Sequence, residues 1–337
     1  MRLGVLGLGF MGATHIRALD GIEGVTLAAI SSSDAKKLGG DLSGVGGNLG
    51  AGFDTLDFSD VARHTRWEAI LEDPSIDAVD ICLPTHLHAP ATAAALRAGK
   101  HVLVEKPMAL DFETAESLVA LAKKQGRILM AAQVLRFFPM YRQMVSLVRS
   151  GSLGAVRAAT FRRRCAAPPW AAWMQDKQTS GGGVFDLLIH DVDMALHLFG
   201  VPTAVSATGS EALAEHVDTI DGQLYYENLD SVTIAGGWHH GAFPFSMEYT
   251  IVADGGTIEY SSASGSDPWV YRPGADPEAL TPTAPVDGYQ EEIRYFVECC
   301  ASGTEPAYCP PGESAAAVKV TRSMSEARAK KGEKCRI

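Results

Sequence analysis

RLGVLGLGFMGATHIRAL, residues 2–19, places an apolar run, a glycine-punctuated turn and a helical pattern in immediate succession. The run is short and does not alternate, as expected of a strand covered on both faces. The glycines of GLGFMG (7–12) close it, and MGATHIRAL opens a helix. A strand feeding through a tight turn into a helix begins a βαβ unit, and a chain that continues in this way builds a parallel sheet.

The sequence continues in this way. VTLAAIS (25–31), AVDICLP (78–84), HVLVEKP (101–107) and ILMAAQV (128–134) are further buried-strand candidates, and between them lie helical patterns such as APATAAALRAG and FETAESLVALAKKQG. The segment GGDLSGVGGNLGAG (39–52) is too rich in glycine for either element and reads as a mobile loop. From about residue 150 strand-like runs dominate: AVSATG, QLYYEN, SVTIAGGW, FSMEYTIVAD and GTIEYSS. In FSMEYTI, Phe245, Met247, Tyr249 and Ile251 alternate with polar residues, the mark of a half-buried antiparallel strand. The expected fold is therefore α/β: an N-terminal doubly wound parallel sheet of the Rossmann kind over 1–130, then a C-terminal α+β domain over 131–337 with a large, mainly antiparallel sheet. A last helix at about 312–330 is expected to pack on the first domain. Trp238, Phe243 and Phe245 mark the broad sheet face as a candidate interface between copies, giving a homo-oligomer, dimer or tetramer.

Bulk properties narrow the function. With 337 residues there is room for two cores, and 46% hydrophobic with 20% charged residues is ordinary globular composition. No apolar run reaches the length of a membrane span, and Met1 leads directly into a strand without a cleavable apolar segment, so a cytoplasmic, membrane-free protein is expected. A net charge of −11 argues against nucleic acid as a partner. The basic cluster Arg162, Arg163, Arg164 reads as an exposed strand end or salt-bridged face. Cys82, Cys165, Cys299, Cys300, Cys309 and Cys335 show no CxxC spacing and read as reduced thiols.

GLGFMG has the GxGxxG spacing in its proper context. Gly7 permits the tight turn, Gly9 lets the backbone approach a pyrophosphate, and the helix N-terminus offers unpaired N–H groups. Gly7, Gly9, Phe10, Met11 and Gly12 are thus candidate dinucleotide-binding residues. At the end of the second strand, AISSSDAKK sets Ser31, Ser32 and Ser33 where an acid would bind the ribose of NAD, with Lys36 and Lys37 close by. Hydroxyls and a lysine suit an extra phosphate, so NADP is expected; NAD remains possible through Asp34 in a shifted register.

SGGGVFDLLIHDVDMALHLFG (180–200) carries Asp186, His190, Asp193 and His197 in an apolar helical pattern. At about 100° per residue their spacings of 4, 3 and 4 put them within a wedge of about 60° on one face, a stripe that is expected to face a site. Buried carboxylates and imidazoles need partners or a use.

VLVEKPMAL (102–110), taken with GLGFMG, PTHLH (84–88), RFFP (136–139) and GGGVFDLLIHDVD, resembles the Gfo/Idh/MocA oxidoreductases, which include glucose-fructose oxidoreductase and inositol dehydrogenase. The motifs come in the family order and the resemblance spans essentially the whole chain. It implies that Lys106 lies beside the nicotinamide and that Asp186 and His190 complete a catalytic set. It also places Pro84, Thr85, His88 and Arg136 near the cofactor and Glu105 on the nicotinamide ribose. The SSS segment looks more like the NADP-using 1,5-anhydrofructose reductases than the inositol dehydrogenases.

The implied chemistry is hydride transfer between nicotinamide and a sugar, cyclic polyol or keto-sugar. His190 suits general acid-base work; Lys106 would share the proton or polarise a carbonyl; Asp186 would hold a substrate hydroxyl or orient the imidazole. Asp193 and His197 are expected to be structural, bonded to backbone or to each other. A metal site is not expected, and His239 and His240, adjacent on a strand, should face opposite ways. His15 is expected to be capped or solvent-facing, and Trp170 and Trp173 to wall the pocket or fill the core. The competing readings are a non-catalytic nucleotide sensor or scaffold, and a glycoside hydrolase that retains its nicotinamide.

Overall fold

The computed structural model describes residues 1–47, 53, 55–169, 172–265, 267–281 and 287–337. The chain forms two compact units, Met1–Val134 with Asp287–Ala315, and Leu135–Val286 with Ala316–Ile337. The break at 134/135 falls close to the expected 130/131. The expectation did not include the return of 287–315 to the first unit.

The first unit is built on β1 (Arg2–Leu6), β2 (Thr26–Ser31), β3 (Ala62–His64), β4 (Ala78–Ile81), β5 (His101–Glu105) and β6 (Leu129–Ala132). They form a parallel sheet in the order β3-β2-β1-β4-β5-β6, the doubly wound order whose switch point lies between β1 and β4. Helices cover both faces, so Val5, Ile30, Val79, Leu103 and Met130 are fully buried. The helices are α1 (Phe10–Ala18), α2 (Ala35–Leu38), α3 (Glu68–Glu72), α4 (His88–Arg97) and α5 (Phe112–Gln125). Asp111 caps α5 by accepting from Thr114 N at 2.8 Å, and Gly126 ends it in the left-handed region at φ +61°.

Residues 39–47 are packed, not a free loop. Leu42 is fully buried and Val45 nearly so, in a cluster with Val5, Leu8, Ile30 and Phe53. A Cβ on Gly47 would lie 2.0 Å from the Phe10 ring, so only glycine can pass there. The remainder of the predicted loop, apart from Phe53 and Thr55 just beyond it, lies outside the described residues.

The second unit holds α6 (Pro139–Arg149), β7 (Val156–Ala166), α7 (Lys177–Ser180), α8 (Ile189–Phe199), β8 (Ala204–Thr208), β9 (Glu211–Ala212), β10 (Val217–Tyr225), β11 (Ser231–His239), β12 (Ser246–Ala253), β13 (Gly256–Ser261), β14 (Trp269–Tyr271) and β15 (Glu278–Ala279). Next come α9 (Gly288–Ser302), which belongs to the first unit, then α10 (Pro311–Ala329) and β16 (Cys335–Arg336). From Ala316 onward α10 belongs to the second unit. Ten strands make one mixed sheet, β15-β14-β13-β12-β7-β11-β10-β8-β16 with β9 on β10, antiparallel except for the β7–β11 pair.

The predicted alternation in β12 holds for Met247, Tyr249 and Ile251, which are buried, while Glu248 and Thr250 lie nearer solvent. The covered face carries α6: Tyr249 donates to the Met140 carbonyl at 2.7 Å and its ring lies 5.2 Å from Tyr141. The basic cluster sits on the central strand β7 and divides by register. Arg162 and Arg164 turn outward onto Glu248, whereas Arg163 is buried and forks onto Asp191 at 2.9 and 3.2 Å. Trp238 is fully buried, so it cannot belong to an interface between copies; the exposed aromatics of this sheet are Trp269 and Tyr271.

The six cysteines are free thiols, not joined by disulfides. No helix among the described residues is long and apolar enough to cross a membrane.

Candidate active site

The cofactor end begins where β1 turns into α1. Gly7 has φ +101°, and a Cβ there would sit 2.6 Å from the Cys82 carbonyl oxygen. On Gly12 a Cβ would approach the Gly7 carbonyl oxygen to 2.0 Å, so this glycine lets α1 close onto the strand. Gly9 differs: a Cβ there would meet nothing within 4 Å. Space is open at the residue whose bare backbone should face a pyrophosphate, beside the unpaired N–H groups of the first turn of α1. These residues fit a dinucleotide. Phe10 is engaged elsewhere, edge-on to Phe53 at 5.5 Å between centroids.

At the end of β2, Ser31 is buried, Ser32 half-buried and Ser33 exposed. Ser32 Oγ accepts from Asp34 N at 3.1 Å, and the Asp34 carboxylate caps α2 by accepting from Lys36 N at 2.9 Å. Asp34 is thereby committed to its helix. The hydroxyls of Ser32 and Ser33 and the exposed Lys36 remain as the groups that face solvent there.

β4 and β5 end in the PTHLH and EKP segments. His88 is buried, with Nδ1 2.8 Å from the Pro107 carbonyl oxygen and Nε2 2.7 Å from that of Leu83. It ties the two segments together, and burial pushes its imidazole pKa down. Its ring therefore braces the two loops that the family resemblance places near the cofactor. Pro84 is half-buried and Thr85 nearly buried at the start of the PTHLH turn. Lys106 is half-buried and its backbone N–H donates to Glu105 Oε2 at 3.0 Å.

Beneath Glu105 lies a cluster that the sequence reading missed. His15 is wholly buried, not solvent-facing: Nδ1 is 2.8 Å from Asp80 Oδ2, and Nε2 lies 3.4 Å from Glu105 Oε1. Burial alone would lower the His15 pKa, but the Asp80 charge and hydrogen bond hold it well above the usual histidine range. Burial would likewise raise the Glu105 carboxyl; His15, Lys106 and His88 hold it below the usual carboxylate range. Cys82 Sγ lies 3.6 Å from His15 Nδ1. The donor atoms of His15, Asp80 and Cys82 are within 4.8 Å of one another, yet burial and Asp80 push the thiol up, away from the thiolate a metal would bind. The sequence signal was Asp80 itself, an acid in an otherwise apolar central strand.

In the second unit the glycine run 181–183 has a steric cause. A Cβ on Gly182 would lie 2.4 Å from Asp218 Oδ2 and one on Gly183 2.7 Å from Trp238 Cγ. Asp218 accepts from Val184 N at 3.2 Å and is itself held by Arg328 at 2.6 Å. The chain then makes one turn of π-helix, Val184–Leu188, before α8. Such turns recur at functional sites and insert a residue into the helical register.

The π turn changes the spacing of about 100° per residue between Asp186 and the three polar residues of α8, and the four differ in burial. Asp186 and His190 are half-buried, whereas Asp193 and His197 are buried. Arg136 forks onto Asp193 at 2.8 and 2.7 Å and approaches His197 Nδ1 at 3.0 Å; Arg149 donates to the His197 carbonyl at 3.0 Å. The structural role expected of Asp193 and His197 matches this geometry, but their partners are two arginines. Arg136, expected near the cofactor, is fully buried in this pairing.

His239 ends β11 and stacks on Phe243 at 4.3 Å, with His240 beyond the strand. Trp173 is half-buried; Trp170 lies outside the described residues.

Comparison with known proteins agrees with this architecture. A family model for the oxidoreductase family with an NAD-binding Rossmann fold, GFO_IDH_MocA, matches residues 1–133, and one for the GFO/IDH/MocA C-terminal domain matches residues 141–259. An oxidoreductase of Bacillus subtilis, YrbE, is 27% identical over 342 residues, which covers 97% of this chain and 94% of its own. D-xylose 1-dehydrogenase (NADP(+)) 2 of Haloferax volcanii is 28% identical over 312 residues, 91% of each chain. The solved aldose-aldose oxidoreductase from Caulobacter crescentus, complexed with glycerol, has a TM-score of 0.84 at 25% identity, covering 100% of this chain and 99% of that one. Levoglucosan dehydrogenase, in complex with NADH and levoglucosan, shares the fold at a TM-score of 0.85 and 19% identity, again covering 100% and 99%. With both of its domain models matched, at the glycine turn and sheet of one unit and the helix and sheet of the other, the chain belongs to the Gfo/Idh/MocA family of NAD(P)-binding oxidoreductases.

Proposed function

We propose that this chain is an NADP-dependent oxidoreductase that moves a hydride between nicotinamide and a carbon of a sugar, cyclic polyol or keto-sugar. The observation that carries this reading is the set of half-buried groups at the ends of otherwise buried elements: Lys106 beside an ionised Glu105 above the glycine turn, and Asp186 with His190 where the π turn meets α8. Groups that served only packing would be as buried as Asp193 and His197.

When bound, the nicotinamide supplies the hydride acceptor or donor. Gly7, Gly9 and Gly12 and the N–H groups of α1 would hold its pyrophosphate, and Glu105 its ribose. In the oxidative direction His190 takes the hydroxyl proton, Lys106 stabilises the oxygen as negative charge develops, and Asp186 fixes the imidazole or a neighbouring hydroxyl. The NADP preference is supported by Ser32, Ser33 and Lys36 and by the engagement of Asp34 with α2. The Haloferax relative, named for NADP(+), points the same way, whereas NADH in levoglucosan dehydrogenase keeps NAD within the family's range.

The substrate class rests on the relatives' names, a xylose dehydrogenase and an aldose oxidoreductase among them. Neither the sensor nor the glycoside hydrolase reading has an observation in its favour. The assignment includes a cytoplasmic homo-oligomer, dimer or tetramer, formed through the sheet face that bears Trp269 and Tyr271, with light scattering as its check. Replacement of Lys106 by Met tests the chemistry: turnover should fall by about 10³-fold or more, with NADPH affinity changed only a few-fold. Unchanged turnover refutes the role.

A further inference from the structure

His15 is the buried charge that hydride transfer, as described, does not use. It lies on α1, within two turns of the residues proposed to hold the pyrophosphate, and its ring spans two strands. Nδ1 donates to Asp80 Oδ2 of β4 at 2.8 Å, and Nε2 lies 3.4 Å from Glu105 Oε1 of β5. Glu105 Oε2, the other oxygen of the same carboxylate, accepts from the Lys106 backbone N–H at 3.0 Å. Thus a chain of contacts runs from Asp80 through the imidazole to the backbone of the residue proposed to contact substrate.

We propose that His15 is a positioning residue: an imidazolium set between Asp80 and Glu105, it keeps the Glu105 carboxylate ionised and oriented, and through it fixes Lys106.

Three features support this role over plain packing. First, Glu105 is only 6% exposed, and a carboxylate so far from water needs a counter-charge in addition to one N–H bond. Second, two carboxylates around one imidazole leave the cluster with net negative charge, which Lys106 balances from the cofactor side. Third, the returning segment covers the cluster. From α9, Tyr289 sets its ring 6.1 Å from that of His15, and it lies within electrostatic reach of Glu105, Glu292 and Asp287. The groups that face His15 are therefore Asp80 of β4, Cys82 just beyond it, Glu105 of β5 and Tyr289 of α9, with Glu292 behind Tyr289, all in the first unit. None but His15 is a cation, so its loss leaves Glu105 with only Lys106 and His88 to hold it ionised.

The inference rests on the hydride-transfer reading above, so the test reads protonation and cofactor binding before turnover. In the intact protein at neutral pH, the nitrogen resonances of His15 should be those of an imidazolium; a neutral ring overturns the proposal. In H15Q the Glu105 carboxyl loses a counter-charge that holds its pKa down and should take up a proton at higher pH than in wild type, so NADPH affinity relative to wild type should drop several-fold between pH 8 and pH 5.5. E105Q should remove that pH dependence, and the double variant should match E105Q alone.

A deficit in H15Q that is the same at every pH, or one that adds to that of E105Q, marks a merely structural histidine and overturns the proposal. Should H15Q fail to fold, E105Q carries the test: the His15 imidazolium must lose its proton at lower pH than in wild type, and an unmoved titration refutes the coupling. If the wild-type protein binds neither NADPH nor NADH, the hydride-transfer reading falls and this inference with it. Binding to wild type with a pH-independent H15Q deficit refutes this inference alone.

Discussion

The Arg136–Asp193 pair allows a quantitative test of what supports α8. Both side chains are buried, at 0% and 1% exposure, and two N–H···O bonds of 2.8 and 2.7 Å join them. Removing one partner of a buried pair costs about 3–5 kcal/mol, because the other charge is left without compensation. Asp193→Asn keeps one acceptor oxygen, which places it near the lower end, at about 3 kcal/mol. Replacing both, Arg136→Met with Asp193→Leu, leaves no orphaned charge and should come within about 1 kcal/mol of wild type. Urea unfolding is the assay: with a slope of about 2 kcal/mol per molar, the single variant should lower the midpoint by about 1.5 M and the double variant by under about 0.5 M. If the double variant is the less stable, the loss reflects packing and bond count, and the orphaned-charge reasoning is wrong. The same double variant should bind NADPH within about twofold of wild type, less than 0.5 kcal/mol, because the Arg136 guanidinium is fully buried against Asp193.

The glycine turn separates folding from binding: a Cβ on Gly9 meets nothing within 4 Å, so Gly9→Ala should stay within about 0.5 kcal/mol of wild-type stability yet bind NADPH at least about tenfold more weakly, as read by nucleotide fluorescence. Ser33→Asp places a negative charge at the exposed end of β2 and should weaken NADPH by about 10- to 100-fold while leaving NADH nearly unchanged; equal loss of both would show that Ser33 does not face the phosphate. Stability should also follow the His15 and Glu105 shifts. The raised His15 pKa contributes stability below its unfolded value near 6.5 that is lost as pH rises through the folded value, and the lowered Glu105 pKa contributes above about 4.5 what is lost on acidification. Unfolding midpoints should therefore form a plateau between about pH 4.5 and pH 6.5, with a falling limb above it that H15Q flattens.

Burial explains which elements could be read in advance. β1, β2, β4, β5 and β6 are covered on both faces and appear as mostly apolar runs, interrupted in β4 by Asp80. β3, an ARH edge strand with two exposed residues and one half-buried, carries no such pattern. β7 was hidden by Arg163, which occupies an inward position of the central strand only because Asp191 awaits it on α8. The return of α9 to the first unit depends on contacts such as Gln290 Nε2 to the Asp20 carbonyl, 270 residues apart, which no local pattern encodes.

The same division runs through the site. Lys106, Asp186 and His190 could be nominated from the sequence because their motifs are local, and their catalytic role is what we propose. The stripe assumes about 100° per residue, a spacing that changes through the π turn, and each buried acid of α8 pairs with its own arginine, which the helical pattern alone does not encode. His15 escaped notice because its partners Asp80 and Glu105 lie 65 and 90 positions away, a separation bridged only when β1, β4 and β5 align side by side.

The central claim, hydride transfer with NADP, is tested most directly by following nicotinamide absorbance as wild-type protein and K106M meet a panel of aldoses, cyclic polyols and keto-sugars with NADP(H) and NAD(H) in parallel. The account predicts turnover of at least one of these by the wild type, faster with NADP(H), and its loss in K106M with cofactor still bound. Cofactor bound tightly without turnover of any member, or turnover that K106M retains, contradicts it.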